Sequence, residues 1–97
     1  MDLDLIKAAA GRLRGHSRET PLLNSPFLDE IAGRPIWVKA ECLQHTGSFK
    51  YRGAFAAISA LNEAQRRKGV LAFSSGNHAQ GVALAAKQHD TSALIIM

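Results

Sequence analysis

Two short apolar runs, Val70 to Phe73 and Ala93 to Met97, limit the possible folds more than anything else in the chain. Each is the length of a buried strand and each is too short for a helix. Between them Ala79, Val82, Ala83 and Ala86 share one helical face. A strand, a helix and a second strand joined by short connections form a parallel crossover unit. A similar pattern precedes it. From Ile36 to Cys42 the residues alternate, with Ile36, Val38 and Ala40 on one face and Trp37, Lys39 and Glu41 on the other. That predicts a half-buried strand. Ser48 then caps a helix whose predicted buried stripe is Ala54, Ala57, Ile58 and Leu61, and Gly69 ends it. The order strand, helix, strand, helix, strand predicts an α/β fold, a parallel sheet with flanking helices.

Upstream, Leu3, Ile6, Ala10 and Leu13 give an amphipathic helix over 3–14 that ends at Gly15. Thr20-Pro21 is extended, because a residue before proline is driven out of the helical region. Leu22 and Leu23 form a short apolar segment, Asn24-Ser25-Pro26 reads as a turn, and Gly33-Arg34-Pro35 as another. The last apolar run stops at Met97 with no helix after it. Parallel strands buried on both faces need covering helices. Residues 1–97 are therefore expected to be the N-terminal part of a longer polypeptide.

Composition removes several alternatives. An apolar fraction of 46% supports a folded core rather than disorder. The lone Cys42 excludes a disulfide scaffold. No apolar run approaches the roughly 18 residues of a membrane span. The start, with Asp2 and Asp4 around Leu3, lacks the features of a secretory signal. A soluble, cytoplasmic protein is the expectation. The net charge of +4 is dispersed, and its densest run, Arg66-Arg67-Lys68, reads as a solvated helix terminus. No aromatic residues interleave with that run, so nucleic acid is not an expected partner. Cys42 and His45 form a C-x-x-H pair with no second pair at zinc spacing, so no metal site is expected.

Two loops follow strand ends and open helices, the usual place for a ligand crevice in open α/β sheets. The first runs Thr46-Gly47-Ser48-Phe49-Lys50-Tyr51-Arg52-Gly53-Ala54. A helix selected only for stability carries acids in its first turn, but this one carries Lys50 and Arg52. The helix end and the second cation both disfavour the ammonium form of Lys50, more so if Phe49 and Tyr51 exclude water. A neutral amine is what a Schiff-base nucleophile requires. The plain alternative is a lysine that snorkels into solvent. The second loop, Ser74-Ser75-Gly76-Asn77-His78-Ala79-Gln80-Gly81, has no first-turn acid and offers backbone N–H, hydroxyl and amide donors. It reads either as a carboxylate or phosphate site or as a plain serine cap with a glycine turn. Val82-Ala83 stand where a Walker loop has Lys-Ser/Thr. The dinucleotide motif G-x-G-x-x-G and the hydrolase elbow G-x-S-x-G do not occur.

Taken together, the two loops resemble the N-terminal signatures of the threonine/serine dehydratase family, pyridoxal-phosphate enzymes of the tryptophan-synthase-β-like fold (fold type II). The likeness runs from Thr20-Pro21-Leu22 through Lys39-Ala40-Glu41 to the end of the chain. It implies pyridoxal 5'-phosphate as cofactor and a small amino acid as substrate. Lys50 then matches the lysine that carries the cofactor and moves the α-proton. Phe49 matches the residue beside the cofactor ring, and Asn77 the amide that holds its 3′-oxygen. Ser74, Ser75, Gly76 and His78 match the loop that grips the substrate carboxylate. Ser75 also matches the second acid/base of serine racemases.

The resemblance further implies a homo-oligomer at full length. The implied activity is dehydration and deamination of threonine or serine to a 2-oxo acid and ammonia. Serine racemase, hydroxyaspartate ammonia-lyase and a non-catalytic fragment that keeps part of the fold are the alternatives. The family's glycine-rich phosphate loop and its partner for the pyridine nitrogen find no match here, so residues 1–97 alone are expected to be inactive.

Overall fold

The structure is a computed structural model that describes residues 2–97. Helix α1 spans Leu3–Leu13, and the Asp2 carboxylate caps it by accepting the Leu5 N–H at 2.9 Å. Strand β1 (Leu22–Asn24), helix α2 (Pro26–Ala32) and strand β2 (Trp37–Lys39) follow. Two 3-10 turns at Glu41–Leu43 and His45–Gly47 lead into helix α3 (Lys50–Ser59). Helix α4 (Glu63–Lys68), strand β3 (Val70–Phe73), helix α5 (Asn77–Gln88) and strand β4 (Ala93–Ile96) complete the order.

Strands β3 and β4 pair in parallel, Val70 opposite Ala93 through Phe73 opposite Ile96, with α5 as the crossover. This is the predicted unit. The first predicted strand behaves differently. It is cut to Trp37–Lys39 and pairs antiparallel with β1, Leu22 opposite Lys39, so the described residues hold two two-stranded sheets. The alternation in 36–42 fails after Lys39 because Glu41 opens a 3-10 turn. That turn carries its carboxylate to Arg52 instead of along a strand face. Trp37, Val38 and Lys39 are all exposed rather than half-buried.

Two helices were not expected. The segment read as the turn Asn24-Ser25-Pro26 is the start of α2, with proline in its first turn and Gly33 ending it in the left-handed conformation (φ 68°). The stretch after Ser48 divides into α3 and α4. The Asn62 side chain accepts the Gln65 N–H, and the Gln65 side chain accepts the Asn62 N–H, each at 2.9 Å. This reciprocal capping box restarts the helix.

The core lies between α3 and α5. Tyr51, Ala54, Phe55 and Ile58 pack on Ala72, Val82, Ala85 and Ala86. Burial of each large side chain contributes about 2 kcal/mol. The buried stripe of α3 is rotated from the predicted one, since Ala57 is exposed and Leu61 only half-buried. Ala83 of α5 is exposed as well. The Tyr51 hydroxyl donates to Gln88 Oε1 at 2.9 Å, and burial pushes its phenol above the ordinary value. Small residues let the two helices approach. A Cβ on Gly81 would lie 3.1 Å from the Lys50 carbonyl carbon and oxygen and 3.2 Å from the Tyr51 nitrogen. Gly53 has nothing within 4 Å of the same position.

A polar clamp ties the segments before α3 to its first turn. Arg52 Nε donates to Glu41 Oε2 and Nη2 to Oε1, both at 2.8 Å. Arg52 also donates to Ser17 Oγ at 3.3 Å and to the Arg18 carbonyl at 3.1 Å. The Thr20 hydroxyl donates to Glu41 Oε1, and Lys39 Nζ stands 4.0 Å from the same oxygen. The Arg52 hydrogen bonds hold the Glu41 carboxyl at about 2, against the opposing effect of burial, with Thr20 and Lys39 assisting.

Two stability predictions follow from this packing. Alanine gains about 1 kcal/mol over glycine in a helix interior, but crowding a packed backbone costs about 1–3 kcal/mol. Gly81→Ala should therefore lower the urea midpoint, whereas Gly53→Ala should raise it. For the clamp, the folded value of Glu41 lies below its unfolded value of 4.5. Its stabilisation is then complete above pH 4.5 and is lost as pH falls toward 2. After allowance for solvent screening of the 30% exposed Arg52 side chain, it is on the order of 2 kcal/mol. Urea midpoints of the wild type and Glu41→Gln should differ at pH 6 and converge as pH approaches 2.

Candidate functional site

Immediately before α3 the chain makes a sharp reversal. Thr46 (φ 61°) and Gly47 (φ 73°) both take the left-handed conformation. A β-branched residue there costs about 1–3 kcal/mol and persists only where its surroundings enforce it. Gln44, 2% exposed, does much of the enforcing. Its Oε1 accepts the Arg18 and His45 N–H groups at 3.0 Å, its Nε2 donates to the Arg18 carbonyl at 2.9 Å, and its own carbonyl accepts the Gly47 N–H at 2.9 Å. The Thr46 hydroxyl is buried with no hydrogen-bond partner among the described residues.

The reversal delivers Ser48 in extended conformation and Phe49 at the N-cap position, so Lys50 is the first residue of α3. Phe49, rather than Ser48, therefore occupies the cap. Ser48 Oγ accepts the Lys50 N–H only at 3.4 Å. Lys50 is exposed, with its Nζ 4.8 Å from the centroid of the Phe49 ring, a cation–π arrangement. The expected surroundings of Lys50 differ in two respects. Tyr51 is fully buried in the core and Phe49 is 59% exposed, so among the described residues they do not shield the amine from water. Arg52 is not a free second cation, because Glu41 compensates its charge at 2.8 Å. The first turn of α3 is thus ordered by an ion pair on Arg52 rather than burdened by two unpaired charges.

The second loop joins β3 to α5. The Ser74 N–H donates to the Ile96 carbonyl at 2.9 Å, extending the β3–β4 ladder, and Ser74 Oγ accepts the Gly76 N–H at 3.3 Å. Ser75, Gly76, Asn77 and His78 are exposed. Gly76 is the N-cap of α5, no side chain caps the helix, and its first turn holds no acid. The plain serine cap is therefore not what this sequence builds. The leading N–H groups stay open at the positive end of the helix.

The close approach at Gly81 brings α5, one turn after its start, against the first residue of α3. Gly81 lies against the Lys50 backbone, and Asn77 is one turn earlier on the same face of α5. His78 lines a cleft of about 270 Å³ with Gly53, Ala54 and Val82. Ser75 and Gly76 line a different cleft, with Gln80 and Ile95. Lys50 thus meets α5 one turn after Asn77, while Ser75 and His78 line different clefts. Sequence reading missed Gln44, Glu41 and Gly81 as supports of the site. Only Gly81 carried a local signal, a glycine interrupting a helical pattern.

The family model described as "Pyridoxal-phosphate dependent enzyme" matches residues 13–97. The chain is 55% identical over 94 residues to an L-threo-3-hydroxyaspartate ammonia-lyase of Pseudomonas sp, covering 97% of this chain and 29% of the relative. It is 48% identical over 95 residues to the L-threonine ammonia-lyase of Thermotoga maritima, covering 98% of this chain and 24% of the relative. The structure of maize serine racemase superposes with a TM-score of 0.92 at 44% identity, covering 97% of this chain and 30% of that one. The chain therefore spans under a third of the length of these relatives. With a family match over residues 13–97, the chain belongs to the pyridoxal-phosphate dependent enzymes.

Proposed function

We propose that residues 1–97 are the N-terminal, lysine-bearing part of a pyridoxal-phosphate dependent ammonia-lyase. Its reaction is the dehydration and deamination of a β-hydroxy amino acid, threonine or serine, to a 2-oxo acid and ammonia. The observation that carries this reading is the packing of Lys50, at the start of α3, against Gly81, one turn beyond the open start of α5.

The residues present suit the cofactor's reactive end. A primary amine stands exposed beside an aromatic ring, and an exposed amide, Asn77, opens the adjoining helix. When bound, pyridoxal phosphate supplies an aldehyde that condenses with amines and a conjugated ring that takes up an electron pair from the amino acid's α-carbon. In this reading Lys50 holds the cofactor and moves the α-proton as general base. Phe49 would lie beside the ring, and Asn77 would hold the 3′-oxygen. Ser74, Ser75, Gly76 and His78 would receive the substrate carboxylate through the uncapped backbone N–H groups at the start of α5, which does not require the Ser75 and His78 side chains to line one cleft. Fixing the carboxylate sets the direction of the Cα–H bond relative to Lys50. Ser75 is the second acid/base only if the enzyme racemises. The reading also carries a cytoplasmic homo-oligomer; no helix among the described residues is long and apolar enough to cross a membrane.

Hydroxyaspartate is the second reading, supported by the 55% identity to a lyase of that name against 48% for the threonine enzyme. Release of 2-oxo acid from threonine, serine and 3-hydroxyaspartate by the intact protein separates the two. Oxo acid from threonine or serine supports the first, and oxo acid from hydroxyaspartate alone supports the second. Appearance of D-serine without oxo acid would establish racemisation and remove both. Lys50→Ala should abolish borohydride-stable attachment of the cofactor together with turnover. Asn77→Ala should retain attachment but shift the bound cofactor's absorbance and slow turnover by roughly 100-fold.

A further inference from the structure

We propose that the Glu41–Arg52 ion pair is a positioning device for Lys50, holding the first turn of α3 in the orientation that presents the lysine amine while neither residue touches it. The inference rests on the reading of Lys50 as the reactive amine. Arg52 follows Lys50 by two residues, so its side chain leaves the helix about 200° around the axis from that of Lys50. It therefore grips the turn from behind. Its guanidinium meets both Glu41 oxygens at 2.8 Å and reaches Ser17 Oγ and the Arg18 carbonyl. Glu41 in turn is held by Thr20. The turn is thus joined to the chain at 17–20 and at 41.

Three features show why such a hold is needed. The start of α3 has no side-chain cap. The residues leading into it, Thr46 and Gly47, are both left-handed, a conformation Thr46 leaves readily once unconstrained. On its other side the same turn meets Gly81, with no room for even a methyl group. A turn packed against α5 on one side and led in by left-handed backbone keeps its orientation when a contact on its far side fixes it as well. The Arg52–Glu41 fork does so with two parallel hydrogen bonds, a geometry that lysine cannot reproduce.

The test uses the intact protein freed of cofactor, with pyridoxal 5'-phosphate as the probe. Samples are quenched with borohydride over time, and the tag is located by peptide mass, well below each variant's melting midpoint. Wild type should label Lys50 fastest. Arg52→Lys and Glu41→Gln should each slow labelling of Lys50 by roughly tenfold, leaving exposed Lys7 and Lys87 at wild-type rates. The double exchange Glu41→Arg with Arg52→Glu restores a pair and should recover labelling relative to Arg52→Glu alone. Labelling of Lys50 at the wild-type rate in both single variants would overturn the proposal. So would a loss that only tracks the unfolded fraction measured by circular dichroism. If wild type itself leaves Lys50 unlabelled while other lysines react, the reading of Lys50 fails instead, and the proposal with it.

Discussion

The absence of a side chain at Gly81 governs the arrangement of this molecule. It lets α5 come to van der Waals contact with the backbone at Lys50 and Tyr51, where a single methyl group would sit 3.1 Å from a carbonyl. Small residues continue the approach along the interface, Ala54 on one helix and Ala85 and Ala86 on the other. Large rings fill the space beside it. Phe55 packs between the His16 and His89 rings at centroid distances of 4.7 Å, and His45 meets Tyr51 edge-on at 4.9 Å. Once the helices are that close, the first residue of α3 lies against α5 one turn after its start. The site is a consequence of packing density before it is a matter of particular functional groups.

Backbone geometry and charge divide the work around Lys50. The left-handed pair Thr46-Gly47 turns the chain sharply enough to start α3 at Lys50, and the buried Gln44 amide holds that turn from within. Arg52, which sequence reasoning treated as a second unpaired cation, is instead compensated by a carboxylate held at about 2. The positive helix ends of α3 and α5 remain, both without a side-chain cap among the described residues. A site that receives an anionic substrate gains from leaving those N–H groups free, and it gives up the modest stability a cap would add.

Local pattern made much of the fold legible. Apolar runs of strand length announced β3 and β4, and a 3.6-residue period announced α1, α3 and α5. Both loops at helix starts were visible because their residue types contradict ordinary helix-start chemistry. Errors arose where a distant partner outweighed local preference. Glu41 leaves the strand pattern at 36–42 for a residue eleven positions on. The face of α3 rotates so that Tyr51 and Phe55, not Ala57 and Leu61, enter the core. Aromatic side chains bury more area than alanine, and their weight sets the stripe. The α4 break was readable in principle, since Asn62 and Gln65 form a capping box at the standard spacing.

Chain chemistry alone therefore shows which residue types stand at the two helix starts: a lysine at one, an amide and hydroxyls at the other, and glycines where backbone has to turn or approach. These are properties of residue type and of short spacings, and they survive any arrangement of the elements. Which of those groups meet, and which charges are left unpaired, depends on contacts between residues far apart in the chain. The pairing of Glu41 with Arg52, the contact of Gly81 with Lys50 and the separation of Ser75 from His78 into different clefts are all of that kind. No local energy term encodes them, because each exists only after the helices have packed.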